Sequence, residues 1–341
     1  MDALSDLLNL IRLSAKIYIC KAVGSHWNMQ ITYRPQGIFH TVIKGQCYLR
    51  ESNGNDLVLL QAGDSVAFPT GGAHWISDSP DSQALNAENV VKASGDDGLL
   101  LLKTGVIIVS APDGAPWGET FQMEASMGAL AEEGSPEDEQ LTILLSGTLS
   151  YDSSIKHPFL ESLPCFIHAH SESNDDLRKH ETLTSLMVDE SYGSYPGKRL
   201  IVDHIAEVFF IRLLREHILK EKHSNGYMTA LSDSHIGVAL NLIHTETDEK
   251  WTVETLSRAS AMGRTAFTQK FVDMVGHTPK SYLTNTRLMK AKAKLQHTND
   301  SMFSIAETAG YASEAAFGKA IKKHFNTTPG KLRRQPYSRV R

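Results

Sequence analysis

The sequence predicts an α+β chain: an antiparallel β region toward the amino terminus, a helical linker, and an all-α carboxyl-terminal part containing two helix-turn-helix motifs. Three observations carry this expectation. A short pattern occurs twice near the carboxyl end, an Asn-Gly turn divides alternating apolar runs near residue 54, and basic residues gather where the repeated pattern lies. With 341 residues, 41% of them hydrophobic, the chain can fill two or three domains with substantial cores.

The β region runs from about Gln30 to Asp78, where "IFHTVIKGQCYLRES" and "DLVLLQAGDSVAFPTGGAHWISD" flank Asn53-Gly54. The tight turn of a hairpin takes positive φ at both central positions, which Asn and Gly tolerate, so the pair marks an antiparallel connection. From Asp81 to Glu139, "SGDDG", "SAPDGAPWG" and "EEGSPEDE" mark long loops around one apolar segment, Leu99 to Val109, and "QLTILLSGTLSY" follows as a further strand. After "SLPCF" the pattern turns helical, first near Asp175 to Asp189 and then in "KRLIVDHIAEVFFIRLLREHILKEK". In the second helix Ile201, Ile205, Val208 and Arg212 trace one stripe, and Ile201, His204, Val208 and Ile211 another beside it. A helix apolar over more than half its circumference has one side for the core and another for a partner subunit. "HSNGYM" then reads as a linker, and Ser232-Asp233-Ser234 as the cap opening the last module.

Two classes are disfavoured. "MDALSDLLNLIRLSAKIYIC" places Asp2 and Asp6 where a secretory leader is basic, and "GLLLLKTGVIIVS" is short and broken by Lys103, so a cytoplasmic protein with no membrane partner is expected. Cys20, Cys47 and Cys165 are odd in number and form no C-x-x-C, which points away from a disulfide framework and from a zinc finger.

The net charge of -5 conceals an asymmetry. From Asn241 onward there are 17 Lys and Arg against 8 Asp and Glu, whereas the preceding part holds 17 against 31. A basic block on an acidic body fits a polyanion-binding module joined to a body that stays off polyanions.

The repeat supplies the module's form. "SAMGRTAFTQKFVDMVGHTP" (260–279) and "GYASEAAFGKAIKKHFNTTP" (310–329) share Ala266 and Ala316, Phe267 and Phe317, and a closing Thr-Pro. Phe267, Phe271, Met274 and Val275, like Phe317, Ile321, His324 and Phe325, recur at one-face helical spacing and give each helix a core side. On other faces lie Thr265, Thr268 and Gln269, and Ala315, Gly318, Lys319 and Lys322. Each helix follows a shorter one, "VETLSRAS" or "FSIAETA", after a brief break, and two helices so joined form a helix-turn-helix whose second member fits the major groove.

From about Ser234 to Arg334 the chain resembles the DNA-binding domain of AraC/XylS-family transcriptional regulators. The resemblance rests on "GY-x-S-x-x-x-F" at Gly310 to Phe317 with Pro329 beyond, and on Arg287-Leu288 and Ala291 of the connecting helix. It implies that two recognition helices, held by a helix from Pro279 to about His297, enter adjacent major-groove segments of duplex DNA. Base-facing positions carry over to Thr265, Thr268 and Gln269, and to Ala315, Gly318 and Lys319; phosphate contacts carry over to Arg264, Ser313, Lys322 and Lys323. Gln suits adenine, Lys suits guanine O6 or N7, and Thr methyls suit thymine. Ile321, Asn326 and Leu332 depart from the family's expected Phe, Gly and aromatic residue.

"GDSVAFPTGGAHWISD" (63–78) resembles the second cupin motif, G-x5-P-x-G-x2-H-x3-N, with Asp78 in the Asn position. In the first motif His40 is kept, Val42 replaces the second His, and no Glu stands at the expected distance, so a catalytic metal site is not expected. The wider resemblance is to AraC-type regulators with a cupin-like ligand-binding domain. It implies a cupin-like antiparallel β-barrel sensor (1–170), a helical dimerisation and linker region (171–232) and the tandem helix-turn-helix domain (233–341). It also implies a homodimer that acts as an activator with RNA polymerase and is not an enzyme. His40 and His74 are the candidate effector-binding residues, for a small molecule, a redox signal, or a zinc-like divalent metal with Cys20 or His26 as a third ligand. Some relatives carry Cys where Ser146 stands, which weakens a two-thiol switch through Cys20. His168 and His170 are read as surface residues. The competing reading is a metal-dependent cupin enzyme with a helical appendage.

Overall fold

Alternation along the amino-terminal half becomes two antiparallel sheets. The computed structural model describes residues 2–24, 28–31, 33, 36–51, 57–80, 99–101, 105–110, 142–152, 157–169, 174–192, 195–220 and 226–334. Its strands are β1 (Ser14–Gly24), β2 (Asn28–Ile31), β3 (Gly37–Lys44), β4 (Gln46–Glu51), β5 (Leu57–Gln61), β6 (Ser65–Phe68), β7 (His74–Ser77), β8 (Leu99–Leu101), β9 (Gly105–Ser110), β10 (Thr142–Ser150) and β11 (Ile167–Ala169). One sheet has the order β11-β6-β3-β10-β1-β9-β8 and the other β2-β7-β4-β5. Residues 52–56, with Asn53-Gly54, lie outside the described residues, but β4 and β5 on either side pair antiparallel from Arg50↔Leu57 to Gln46↔Gln61. Within 81–139 only β8 and β9 are described, and β9 pairs with β1.

The sheets enclose one core. Ile38 and Val42 of β3, Val66 and Phe68 of β6 and Leu144 of β10 meet Ile31, Cys47, Leu49, Leu60 and Ile76 of the smaller sheet. Intervening β3 residues face the other way, and Phe39 packs on Phe209 with ring centroids 5.7 Å apart. Gly147, beside Phe39 in the ladder, leaves room for that ring: a Cβ there would lie 2.3 Å from it.

The helices are α1 (Ala3–Leu10), α2 (Pro158–Glu161), α3 (Asn174–Tyr192), α4 (Lys198–Lys220), α5 (Tyr227–Ser232), α6 (Ile236–Thr245), α7 (Val253–Ala259), α8 (Arg264–Val275), α9 (Pro279–His297), α10 (Met302–Thr308), α11 (Glu314–Phe325) and α12 (Pro329–Arg334). On α4 the buried stripe runs through Val202, Ala206, Phe209, Phe210 and Leu213, whereas Ile201 and Val208 are 45% and 47% exposed. Of the two sides a strongly apolar helix offers, the stripe traced through Ile201 and Val208 is therefore the outward one. His168 is half-buried on β11, rather than at the surface, and His170 is outside the described residues.

The chain divides into two compact units. The β unit holds Ser14–Ser150 and Pro164–His217; the helical unit holds Met1–Leu13, Tyr151–Leu163 and Ile218–Arg341. The helical unit thus draws α1 and α2 from the opposite end of the chain. Asp2 caps α1 by accepting the Ser5 N–H at 2.9 Å, and Asn241 Oδ1 on α6 accepts the Ala3 N–H at 2.8 Å.

Candidate nucleic-acid interface and sensor core

Both halves of the repeat fold by the same local rules. Thr252 and Thr255 exchange side-chain and backbone hydrogen bonds to open α7, and Ser301 caps α10 through the Ser304 N–H at 3.1 Å. Each turn is closed by a long backbone bond, Met262 N–H to Ser257 O and Tyr311 N–H to Ala306 O, both 2.9 Å. The chain passes through the left-handed region at Ala261 and at Gly310, and the second turn is one residue longer. Phe267, Phe271, Met274 and Val275 are buried under α8, and Phe317 and Ile321 under α11. His324 and Phe325, expected on the core side of α11, are only half-buried, and Phe325 is covered by the Lys292 ammonium 5.5 Å from its ring. The departures from the family pattern fit: Ile321 and Leu332 are core residues, and Asn326 ends α11 at φ 53.

On the outward faces, Arg264, Thr265 and Gln269 of α8 are exposed, as are Ser313, Ala315, Lys319, Lys322 and Lys323 around α11. Thr268 and Gly318 are half-buried. Several of these polar groups are already engaged. Gln269 Nε2 donates to Asp273 Oδ1 at 2.8 Å, the Thr268 hydroxyl donates to Arg264 O at 2.9 Å, and Ser313 Oγ accepts the Ala316 N–H at 3.2 Å as the cap of α11. Thr268 therefore offers outward mainly its methyl, and Gln269 must leave Asp273 to pair with a base.

Sequence reasoning identified Arg287 only as part of a motif. Its guanidinium donates from Nε to Thr247 O at 2.8 Å and from Nη2 to Glu249 O, both ahead of α7, and its Nη1 lies 2.7 Å from where a Cβ on Gly310 would stand. One side chain of α9 thus bonds the segment leading into the first copy and lies beside the turn of the second. Asp233, expected as a cap, accepts the N–H groups of His235 and Ile236 and also holds Lys270 of α8 at 2.7 Å.

In the β unit, His40 of β3 and His74 of β7 come from different sheets and meet inside the core, at 1% and 0% exposure. Gly72 O can only accept, so His74 Nδ1, 2.7 Å away, carries the proton and its Nε2 is an acceptor. His40 then donates from Nε2 to His74 Nε2 at 2.9 Å, and its Nδ1 accepts from the Ser146 hydroxyl at 2.7 Å. Both rings are neutral in this arrangement. Burial, then the neighbouring His74, holds His40 well below the usual histidine range; burial brings His74 down to about 4 against a weaker upward pull from Gly72. Phe68 stacks on His74 at 3.9 Å. Among the described residues the pair is therefore a buried, hydrogen-bonded element of the core. Val42, at the position of the missing motif histidine, is packed in the apolar cluster. Among the described residues no group of three His, Cys, Asp or Glu is placed to hold a metal. His26 lies outside the described residues, and Cys20 is placed by its backbone pairing with Leu144 on one side and Val109 on the other. Among the described helices none is long and apolar enough to cross a membrane.

Comparison with known proteins agrees with both halves. A cupin family model matches residues 2–219, and a helix-turn-helix domain model matches residues 256–335. The HTH-type transcriptional regulator AlkR of Acinetobacter baylyi is 27% identical over 339 residues, covering 98% of this chain and 100% of that protein. A putative AraC-like transcription regulator of Streptomyces lividans is 25% identical over 338 residues, covering 98% and 99%. RclR of Escherichia coli, an RCS-specific HTH-type transcriptional activator, is 30% identical over 225 residues, covering 64% of this chain and 78% of that one. Among solved structures, the DNA-binding domain of AdpA in complex with a target DNA is 24% identical with a TM-score of 0.28, covering 30% of this chain and 90% of that chain.

Proposed function

Because this chain belongs to the AraC-type helix-turn-helix transcriptional regulators with an amino-terminal cupin domain, we propose a division of labour among its exposed side chains. Thr265, Thr268 and Gln269 of α8, and Ala315, Gly318 and Lys319 of α11, read base edges in adjacent major-groove segments; Arg264, Ser313, Lys322 and Lys323 hold phosphates. The observation that carries this reading is that both helices bury their aromatic anchors, Phe267 and Phe317, and turn small, polar or basic residues outward. A genome-wide binding map of the wild type against Gln269→Ala and Lys319→Ala tests it. Each loss is expected to relax preference at one or two base positions, worth roughly 1–3 kcal/mol for a bidentate pair. Unchanged sequence preference in both variants refutes the assignment.

The cupin domain is the sensor in this proposal, and the His40–His74 contact is the element an effector acts on. Two imidazoles supply half the donors of a tetrahedral zinc site. A metal effector would therefore need donors from outside the described residues, and His40 would have to move its proton from Nε2 to Nδ1. A small organic effector needs only to part the two rings. Calorimetric titration of the full chain with zinc, against His40→Ala and His74→Ala, separates the two. The outward Ile201 and Val208 on α4 support a homodimer through that face. RclR is a transcriptional activator, which supports activation through RNA polymerase here. The regulator relatives favour a protein that does no catalysis, working in the cytoplasm where its DNA is.

A further inference from the structure

The helical unit has a buried polar cluster that the DNA-reading assignment does not use. Asp6 of α1 accepts from His244 Nδ1 of α6 at 2.7 Å and from Lys290 Nζ of α9 at 3.1 Å. With its proton on Nδ1, His244 accepts at Nε2 from the Tyr282 hydroxyl of α9 at 2.7 Å, and Tyr282 is in turn hydrogen-bonded to Tyr227 of α5. His157 stands edge-on to Tyr227, Tyr282 and His244, with ring centroids 5.7, 5.5 and 6.3 Å away. His157, Tyr227, His244 and Tyr282 are at most 2% exposed.

His157 is the odd member. Its Nδ1 accepts the Phe159 N–H at 3.1 Å and so caps α2, which puts the ring proton on Nε2, and among the described residues Nε2 has no hydrogen-bond partner. An added proton would place a positive charge here with no acceptor to meet it. Asp6, the carboxylate of the cluster, is already shared by His244 and Lys290. His277, on the turn before α9, adds a further unfavourable charge when protonated. Burial, then His244 and His277, brings His157 down to about 3, and burial lowers His244 despite Asp6. The cluster also reaches the first recognition helix, since Phe271 of α8 packs on Tyr282 with centroids 5.8 Å apart.

We infer that this cluster is an acid-released clasp: protonation of His157, with His244 beside it, detaches α1 from α6 and α9 and the 157–161 turn from α5, α6 and α9, removing support beneath α8. The consequence for DNA rests on the reading of α8 given above; the release itself does not. Hydrogen–deuterium exchange on the full chain, corrected for intrinsic rates, tests it between pH 7.5 and 5. The wild type is expected to lose about thirtyfold protection or more at residues 3–10 and 157–161, the factor that one proton taken up below the ordinary histidine range gives. Residues 302–325, built on an apolar cluster that contains none of the clasp's residues, serve as the reference and keep their protection. His157→Asn keeps a cap acceptor without a titrating group and is expected to remove about thirtyfold of the loss; His157→Ser replaces it should the Asn variant not fold. Equal loss in variant and wild type, or loss at 302–325 in step with 3–10, overturns the clasp. Release of 3–10 without weakened operator binding at pH 5 supports the clasp and refutes the role given to α8.

Discussion

Gly310→Ala tests the claim that Arg287 joins the two halves of the DNA reader. Gly310 has φ +82, a region that costs an L-residue about 1–2 kcal/mol. The new methyl would also stand 2.7 Å from Arg287 Nη1 and 3.4 Å from its Cζ. The end of a free arginine would swing aside at little cost, but this one is pinned by its bonds to Thr247 O and Glu249 O. Losing one charge-assisted bond costs about 1.5 kcal/mol at the low end, appropriate because these carbonyls are near solvent. The total is about 3 kcal/mol. Gly276→Ala is the control, with φ +78 and nothing within 4 Å of its Cβ, and should cost about 1.5 kcal/mol, the backbone part alone. Urea unfolding of the helical unit, followed by hydrogen exchange, reads the difference of about 1.5 kcal/mol, the lost arginine bond, and in an Arg287→Ala background the Gly310 penalty should fall to about that of Gly276. If the two glycine variants lie within about 0.5 kcal/mol of each other in the wild-type background, the bridging role of Arg287 is wrong.

Four further outcomes follow from particular residues. Arg264→Ala, Lys322→Ala and Lys323→Ala should each lower the slope of log affinity against log salt by about 1 and weaken binding to all duplexes alike, which anisotropy titrations at several salt concentrations measure. Ser146→Ala leaves buried His40 Nδ1 without its donor and should cost about 1–3 kcal/mol in denaturant unfolding of the β unit. His74 titrates near 4 when folded and near 6.5 when unfolded, so its contribution is complete above pH 6.5 and is lost as pH falls toward 4. Between pH 7 and 5 that loss is about 2 kcal/mol, and unfolding of His74→Gln should be correspondingly flatter over the same range. Cys47 is buried with its thiol pushed up to about 12, first by burial and then by Asp64, whereas Cys165 is exposed. Native alkylation read by mass spectrometry should therefore label Cys165 well before Cys47.

What the sequence revealed depended on how local the cause was. The helix from Pro279 to about His297 came with the family resemblance, and its local causes are plain in the structure: Thr278 caps one end and buried apolar residues run its length. His40 and His74, 34 positions apart, came together only through motif resemblance, since spacing alone brings no two strands of different sheets face to face. The orientation of α4 was ambiguous because a helix apolar on nearly all sides has no polar face to fix its rotation. The Asp6–His244 contact spans 238 positions and joins residue types that are ordinary on helix surfaces, so no local pattern marks it.

The two copies of one motif are supported differently, and this matters for how they meet DNA. Beneath α8, Phe271 rests on Tyr282, which is tied through His244 to Asp6, and Lys270 is anchored on Asp233. Beneath α11, the core is drawn from α9, α10 and α12, and its last turn leaves His324 and Phe325 half-exposed. Yet α11 and its cap carry the larger share of exposed basic residues, Lys319, Lys322 and Lys323, against Arg264 on α8. A helix set on a polar, well-tied base suits bonds to base edges, which require fixed geometry. One held by fewer ties but bearing more charge suits phosphate contacts, whose attraction tolerates small shifts in position. On this argument the first copy contributes more of the sequence preference and the second more of the salt-dependent affinity. Gln269→Ala should then broaden the binding motif with little effect on salt slope, while Lys322→Ala does the reverse.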